Sequence, residues 1–449
     1  MKQLTLGDIA EACGGQYIGD KSKLTVAVSD VVIDSRLVKD GSLFVAIKGE
    51  RTDGHLYVEK AYKSGAVCAV SEQVMSVDNP YILVRSSEQA IKDIAEYYRS
   101  LFCNIEVVGI TGSVGKTSTK EMIAAVLSQE FTVHKTQGNF NNELGVPLTL
   151  LSMPEDTEVA VVEMGISNFG EMTRLSKMVR PTVCVLTNIG CCHLENLKDR
   201  DGVLKAKTEM FNYKEEDALI FVNGDDDKLA TVENVTATYG LGTQNNYYAE
   251  NIKNNGENSV SCTLCFDGKK LDVTIPALGN YMAANAAGAA AVGKALNMSD
   301  ENIVKGIASY TTVGSRANLI STDVIKIIDD CYNANPTSVK AAVETLCNIK
   351  GGRKVAVLGD MKELGENEIS LHKEVGEYAA ECGVDVLITV GELAKSISDN
   401  ADIAETYHFD TVDNAIEEID TVLHKDDIVL VKASHSMHFE RIVKFLKEM

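Results

Sequence analysis

The chain has no apolar run long enough to cross a bilayer. Its longest, Ala283–Val292, is rich in alanine and broken by Asn285 and Gly288, whereas a spanning helix needs about 20 apolar residues. Positive charge is also scarce. Lys and Arg total 43 against 65 Asp and Glu, a formal net charge of −22. Such a surface repels phosphate backbones, which excludes a general nucleic-acid binder but leaves room for a local basic pocket. Met1–Ala10 shows no basic segment ahead of an apolar core, so no secretory signal is expected. The 11 cysteines are odd in number and irregularly spaced, and no second pair joins Cys262 and Cys265 to complete a zinc site. A reduced protein in the cytoplasm, with no membrane insertion, is the expectation.

What is present is material for several cores. At 449 residues and 45% hydrophobic content, about 150 residues per domain gives three domains. They are expected at 1–100, 101–312 and 313–449. The first holds short apolar runs, Ser42–Ile47 and Ala66–Val70, around the polar stretch Lys48–His55. The second opens on Ile105–Ile110, short, β-branched and unbroken, the mark of a strand buried on both faces. A glycine turn follows, then a helical pattern to about Gln129. Further strands are expected at Val159–Val162, Val183–Leu186 and Ala218–Val222, then a polar strand-like stretch over Tyr239–Pro276 and an alanine-rich helix to about Leu296. In the third, Val324–Ile328, Lys354–Leu358, Val386–Val390 and Ile428–Val431 alternate with helices. Strands separated by helix-length segments require crossovers, hence parallel sheets. The expected fold is α/β in three domains, with a central phosphate-loop-type parallel sheet flanked by helices and a C-terminal Rossmann-like α/β domain.

The strongest chemical signal is Gly109–Ser118, which reads Gly-Ile-Thr-Gly-Ser-Val-Gly-Lys-Thr-Ser. Phosphates need dense positive potential without bulk. Backbone N–H groups of Gly112, Ser113, Val114 and Gly115, the helix N-terminus and Ser118, and one lysine supply it. Lys116 is expected at the β/γ-phosphates and the Thr117 hydroxyl on Mg²⁺. The strict pattern with a first glycine five residues before Gly115 is not met, since that position is Ile110. Glu163 falls where a strand should end, a natural place for a Mg²⁺ ligand or water holder, the alternative being a solvated acid in a loop. His193, a few residues past another strand, reads either as a ligand or as a structural loop histidine. Lys207 reads as a surface lysine. Lys135–Pro147 is a loop dense in amides, Asn139 and Asn142 among them. Amides suit sugar and phosphate recognition and also form ordinary turns.

Together these motifs resemble the Mur ligase family, the amide-forming ligases of peptidoglycan precursor synthesis. The resemblance runs along nearly the whole chain. It rests on Asp34-Ser-Arg36 with Gly41–His55, on Thr111–Glu121, on Gln137–Pro147, on Glu163-Met-Gly165, on Thr187–Gly190 with His193, on Asp329–Pro336 and on Leu358–Gly365. The Tyr332–Pro336, Gln137–Asn142 and Gly359–Gly365 stretches look like the branch that adds D-alanyl-D-alanine. The resemblance implies a monomeric ligase using ATP and Mg²⁺ to join D-alanyl-D-alanine to a UDP-N-acetylmuramoyl-tripeptide through an acyl phosphate. It places Ser35, Arg36, Asp53 and His55 near the UDP end, with Asn139 and Asn142 also on the substrate. It gives Glu163 and His193 a second Mg²⁺, Lys207 the role of a carbamylated lysine, and Asn285 the adenine. Arg316 would reach the phosphates from the interdomain linker, and Asp330 and Asn333 would complete the nucleotide site. Lys116, Lys207, His193 and Arg316 are thus the expected catalytic set. Two departures stand out: Asn280-Tyr-Met282 where the family has His-Asn after the glycine, and Lys432-Ala-Ser-His435 where Lys-Gly-Ser-Arg is common.

Overall fold

In a computed structural model the described residues are 1–257 and 259–449. Asn258, inside the stretch expected to be strand-like, lies outside them. Three sheets follow one another along the chain. The first has five strands in the order Gln16–Ile18, Tyr81–Leu83, Cys68–Ser71, Ser42–Val45, Asp30–Val32. The second has nine, the third six.

The second sheet positions the chemistry. Its parallel core runs Leu219–Asn223, Val183–Leu186, Glu106–Thr111, Val159–Glu163, Val133–Lys135. Val159–Glu163 and Val183–Leu186 are buried at every position, as continuous apolar strands between two helix layers must be. Register brings their C-terminal ends level: Ile110 pairs with Glu163, and Thr111 with Leu186. Ligands of open α/β sheets gather at such carboxyl ends. The helices Lys116–Leu127 and Tyr281–Ala295 pack together on one face. The second is alanine-rich and buried nearly all round, which small side chains permit.

The third sheet runs Asn318–Ser321, Lys326–Asp329, Ile428–Lys432, Lys354–Gly359, Val386–Val390, Glu405–Phe409. Alternation sorts its residues into two cores: Ala356 and Leu358 face one, Val355 and Val357 the other. Not every strand is parallel. Asn318–Ser321 pairs antiparallel with Lys326–Asp329, Gln16–Ile18 with Tyr81–Leu83, and the hairpins of Tyr247–Ile275 extend the second sheet antiparallel. These edge elements are short or half-polar, so an apolar run does not announce them.

The first two blocks are one body in their packing. A single apolar cluster joins Leu4, Ile9 and Val45 to Ile91 and Ile94, and continues to Val107, Val146 and Val162. The helix Ser87–Ser100 lies at the seam. Its Tyr98 hydroxyl donates to Met153 O at 2.7 Å, and the buried Arg99 donates Nε to Val179 O at 3.0 Å. No helix among the described residues is long and apolar enough to cross a membrane.

Candidate active site

The glycine turn is held in a shape only glycine tolerates. Gly112 has φ +155°, and a Cβ there would sit 1.8 Å from Thr187 Oγ1. Gly115 is left-handed (φ 82°) and precedes the helix Lys116–Leu127 without a side-chain cap, so first-turn N–H groups stay free for an anion. The neighbouring strand end braces the loop. Val114 N–H donates to Asn188 Oδ1 (2.8 Å), Thr187 Oγ1 donates to Val114 O (2.6 Å), and Gly190 N–H donates to Ser113 Oγ (2.9 Å). Lys116 Nζ arches back to Gly112 O at 2.8 Å. Burial pushes its pKa below the ordinary lysine range; Glu163 and Cys192 pull it up, while Arg316 adds to the depression.

Glu163 is no loop acid: it is the last residue of its strand and 1% exposed. Thr117 Oγ1 donates to its Oε2 and Asn141 Nδ2 to its Oε1, each at 2.8 Å. A hydroxyl and a carboxylate side by side are hard oxygen donors of the kind Mg²⁺ takes, one or two at a time, with water and substrate phosphate filling the rest. Among the described residues no group of three or more His, Cys, Asp or Glu forms a metal cage. A hydroxyl–carboxylate pair that leaves most of a coordination shell open fits a cation carried in with a nucleotide.

His193 adopts a left-handed backbone (φ 51°). Its Nδ1 lies 2.6 Å from Glu363 Oε2, off the line of a hydrogen bond, and has no hydrogen-bond partner among the described residues. That contact crosses to the third block, where Leu194 N–H also donates to Glu363 O at 3.0 Å. The imidazole holds the Glu363 carboxyl below its usual range.

Lys207 is not on the surface. It is 1% exposed, and burial, reinforced by Lys116, pushes its pKa down to about 8. The helix Arg200–Thr208 explains why: Val203, Ala206, Lys207 and Met210 fall three and four residues apart on one stripe, and all are buried. That spacing was the available signal.

Asn285, on the alanine-rich helix, accepts from Thr119 Oγ1 at 3.3 Å. Arg316 stacks its guanidinium 3.8 Å from the Tyr332 ring centre, and the His435 ring lies 5.7 Å beyond. Asp330 pairs with buried Lys432 at 2.7 Å and accepts from Ala317 N–H at 3.0 Å, tying the linker to the third block. Asn333 is exposed, and its carbonyl takes Lys432 Nζ at 2.8 Å.

The remaining expected residues lie apart from this centre or are already occupied. Exposed Arg36 forks onto Asp34, while Ser35 is buried. His55 has both ring nitrogens in use: Nδ1 lies 2.6 Å from Asp53 Oδ1, and Nε2 accepts from Glu72 N–H at 3.0 Å. In the amide loop, Asn139 is exposed and Asn142 Oδ1 accepts from Gly145 N–H at 2.8 Å. The amide that reaches the centre is Asn141, between them. Asn141, Lys120, Tyr332 and Glu363 were not singled out from sequence; only their places within the quoted motifs marked them.

A glycine turn at level strand ends, with a lysine arched over it and a hydroxyl–carboxylate pair beside it, defines a nucleotide-binding α/β enzyme of the phosphate-loop class. Residues 27–108 match the Mur ligase family catalytic domain, 110–293 the Mur ligase middle domain, and 315–435 the Mur ligase glutamate ligase domain. The UDP-N-acetylmuramoyl-tripeptide–D-alanyl-D-alanine ligase of Bacillus subtilis (strain 168) is 38% identical, over 100% of this chain and 99% of that protein. That of Escherichia coli (strain K12) is 32% identical over 100% and 99%. A crystal structure of MurF from Acinetobacter baumannii superposes with a TM-score of 0.91 at 30% identity, covering 100% of both chains. MurF of Thermotoga maritima in complex with ADP gives 0.83 at 29% identity, covering 93% and 97%. The chain belongs to the Mur ligase family.

Proposed function

We propose that this chain joins D-alanyl-D-alanine to UDP-N-acetylmuramoyl-tripeptide with ATP, releasing ADP, phosphate and the pentapeptide precursor of peptidoglycan. The observation that carries the reading is the Thr117–Glu163 contact beside the phosphate loop, in a chain aligned end to end with ligases of that name.

A carboxylate is a poor electrophile, so an oxygen of the tripeptide's terminal carboxylate attacks the γ-phosphorus; the bond to the β–γ bridging oxygen breaks, ADP leaves, and the carboxylate becomes an acyl phosphate. The dipeptide's free amine then attacks the acyl carbon, and phosphate departs. In-line transfer needs positioning and charge neutralisation more than covalent help from the protein. Lys116, with Gly112–Ser118 N–H groups, holds the phosphates; Arg316 approaches from the linker. Thr117, Glu163 and His193 would hold Mg²⁺, which when bound would screen the charge shared by carboxylate and triphosphate. Lys207, whose burial lowers its pKa to about 8, is the amine suited to carbamylation and second-metal support. Asn285 takes the adenine; Asp330 and Asn333 close the nucleotide site. Ser35, Arg36, Asp53 and His55, with Asn139 and Asn142, belong to the UDP-peptide side.

The division of labour follows the three sheets, with domains at 1–100, 101–312 and 313–449, working as a monomer in the cytoplasm. The product feeds wall growth, and through it cell shape and division.

Product analysis tests the reading. Mass spectrometry of a reaction with UDP-N-acetylmuramoyl-tripeptide, ATP, Mg²⁺ and D-alanyl-D-alanine should show the pentapeptide, with L-lysine, meso-diaminopimelate and glutamate inactive as acceptors. Lys116→Ala should abolish ADP release. No pentapeptide from the parent protein, or full turnover by the variant, refutes it.

A further inference from the structure

On the phosphate-loop helix, Lys120 and Glu121 form a buried ion pair that no step above uses. Lys120 is 1% exposed, and it lies among two buried carboxylates, Glu121 and Glu163. Its Nζ sits 2.9 Å from Glu121 Oε1 and 3.9 Å from Glu163 Oε2, and donates to Thr136 O at 2.8 Å. Lys135 pairs with the other Glu121 oxygen from a more exposed position. Buried charges persist only where they are paired and hydrogen-bonded, so this ammonium is what lets two acids share the interior.

The contacts also converge on one residue. Thr136 uses its carbonyl for Lys120 and its hydroxyl to accept the Glu163 N–H at 3.0 Å. Thr136 begins the amide loop that returns Asn141 to Glu163 Oε1. Lys120 thus fixes the strand end that fixes the Glu163 backbone, and roots the loop that orients its carboxylate. Partners of this kind set the aim of a metal ligand.

We propose that Lys120 is a positioning residue for the Glu163 carboxylate, aiming it, through Thr136 and the root of the amide loop, at the cation that accompanies the nucleotide. The inference rests on the reading of Thr117 and Glu163 given above.

The test is ADP binding by calorimetry, with Mg²⁺ and with chelator, which needs no turnover. Lys120→Met alone strands Glu121 and Glu163 together and risks unfolding. The informative variant is Lys120→Met/Glu121→Gln, which removes the innermost ion pair as a unit. The Mg²⁺-dependent gain in ADP affinity should fall by about 10- to 100-fold in the double variant, while affinity in chelator and melting temperature stay near the parent values. Lys120→Arg, which keeps the cation, should keep most of the gain. A folded double variant with the full Mg²⁺ gain overturns the proposal and leaves Lys120 a structural counter-ion. Pentapeptide formation by the parent protein alongside that result separates this failure from failure of the ligase reading.

Discussion

Lys207 offers the sharpest physical prediction. Its ammonium is buried, and its pKa falls to about 8 from the ordinary lysine value. At about 1.4 kcal/mol per tenfold change in a proton equilibrium, holding it charged in the fold costs about 3 kcal/mol at neutral pH. The sign follows from proton counting. Below pH 8 folded and unfolded chains both carry the proton, and the cost stands in full. As pH rises through 8 toward the unfolded value, the fold releases its proton first and the penalty fades, so stability attributable to this residue rises with pH. From pH 7 to 9.5 about 2 kcal/mol returns. Lys207→Met never carries the cost. The gap in melting temperature between Lys207→Met and the parent should therefore narrow by about 3 °C over that range, at about 1.5 °C per kcal/mol for a body of about 300 residues with an unfolding entropy of about 2.1 cal/mol/K per residue. The measurement is differential scanning calorimetry in carbon-dioxide-free buffer, because carbamylation would convert the cation to an anion. A gap that is constant or widens with pH would refute the burial argument.

Gly112→Ala should lower stability by about 1–3 kcal/mol and cut ATP turnover sharply, since φ +155° and the Thr187 hydroxyl 1.8 Å from a Cβ both oppose it; thermal melts and ADP release check this. Tyr332→Leu removes the ring under Arg316. With a cation–π contact at about 0.5–2 kcal/mol, it should reduce kcat/KM by about 2- to 30-fold. Tyr332→Phe keeps the ring and should retain activity; equal losses in steady-state kinetics for both would mean the stack does not position Arg316.

The long apolar runs were legible because burial on both faces leaves no choice of residue: Val159–Glu163 and Val386–Val390 stand within a residue of where the pattern puts them. Edge strands such as Glu405–Phe409 and Asn318–Ser321 escaped because their exposed sides carry polar residues that dilute the signal. The phosphate loop was readable since its spacing is its chemistry. Lys207 and Lys120 were not, because a charged residue is taken as solvated unless its helical stripe is checked. The amide loop shows a finer limit: Asn139, Asn141 and Asn142 differ only in which way a turn aims them, and only the middle one meets Glu163.

One consequence of the common core beneath the first two blocks concerns length. With the Ser87–Ser100 helix bonded to Met153 and Val179, the first sheet and the phosphate loop stand on one shared core. If the first sheet holds the UDP end, as proposed above, the shared core sets the distance from that end to the phosphate loop. Under that division of labour, donors one residue shorter or longer than the tripeptide should release ADP more slowly, which steady-state assays of the three would check.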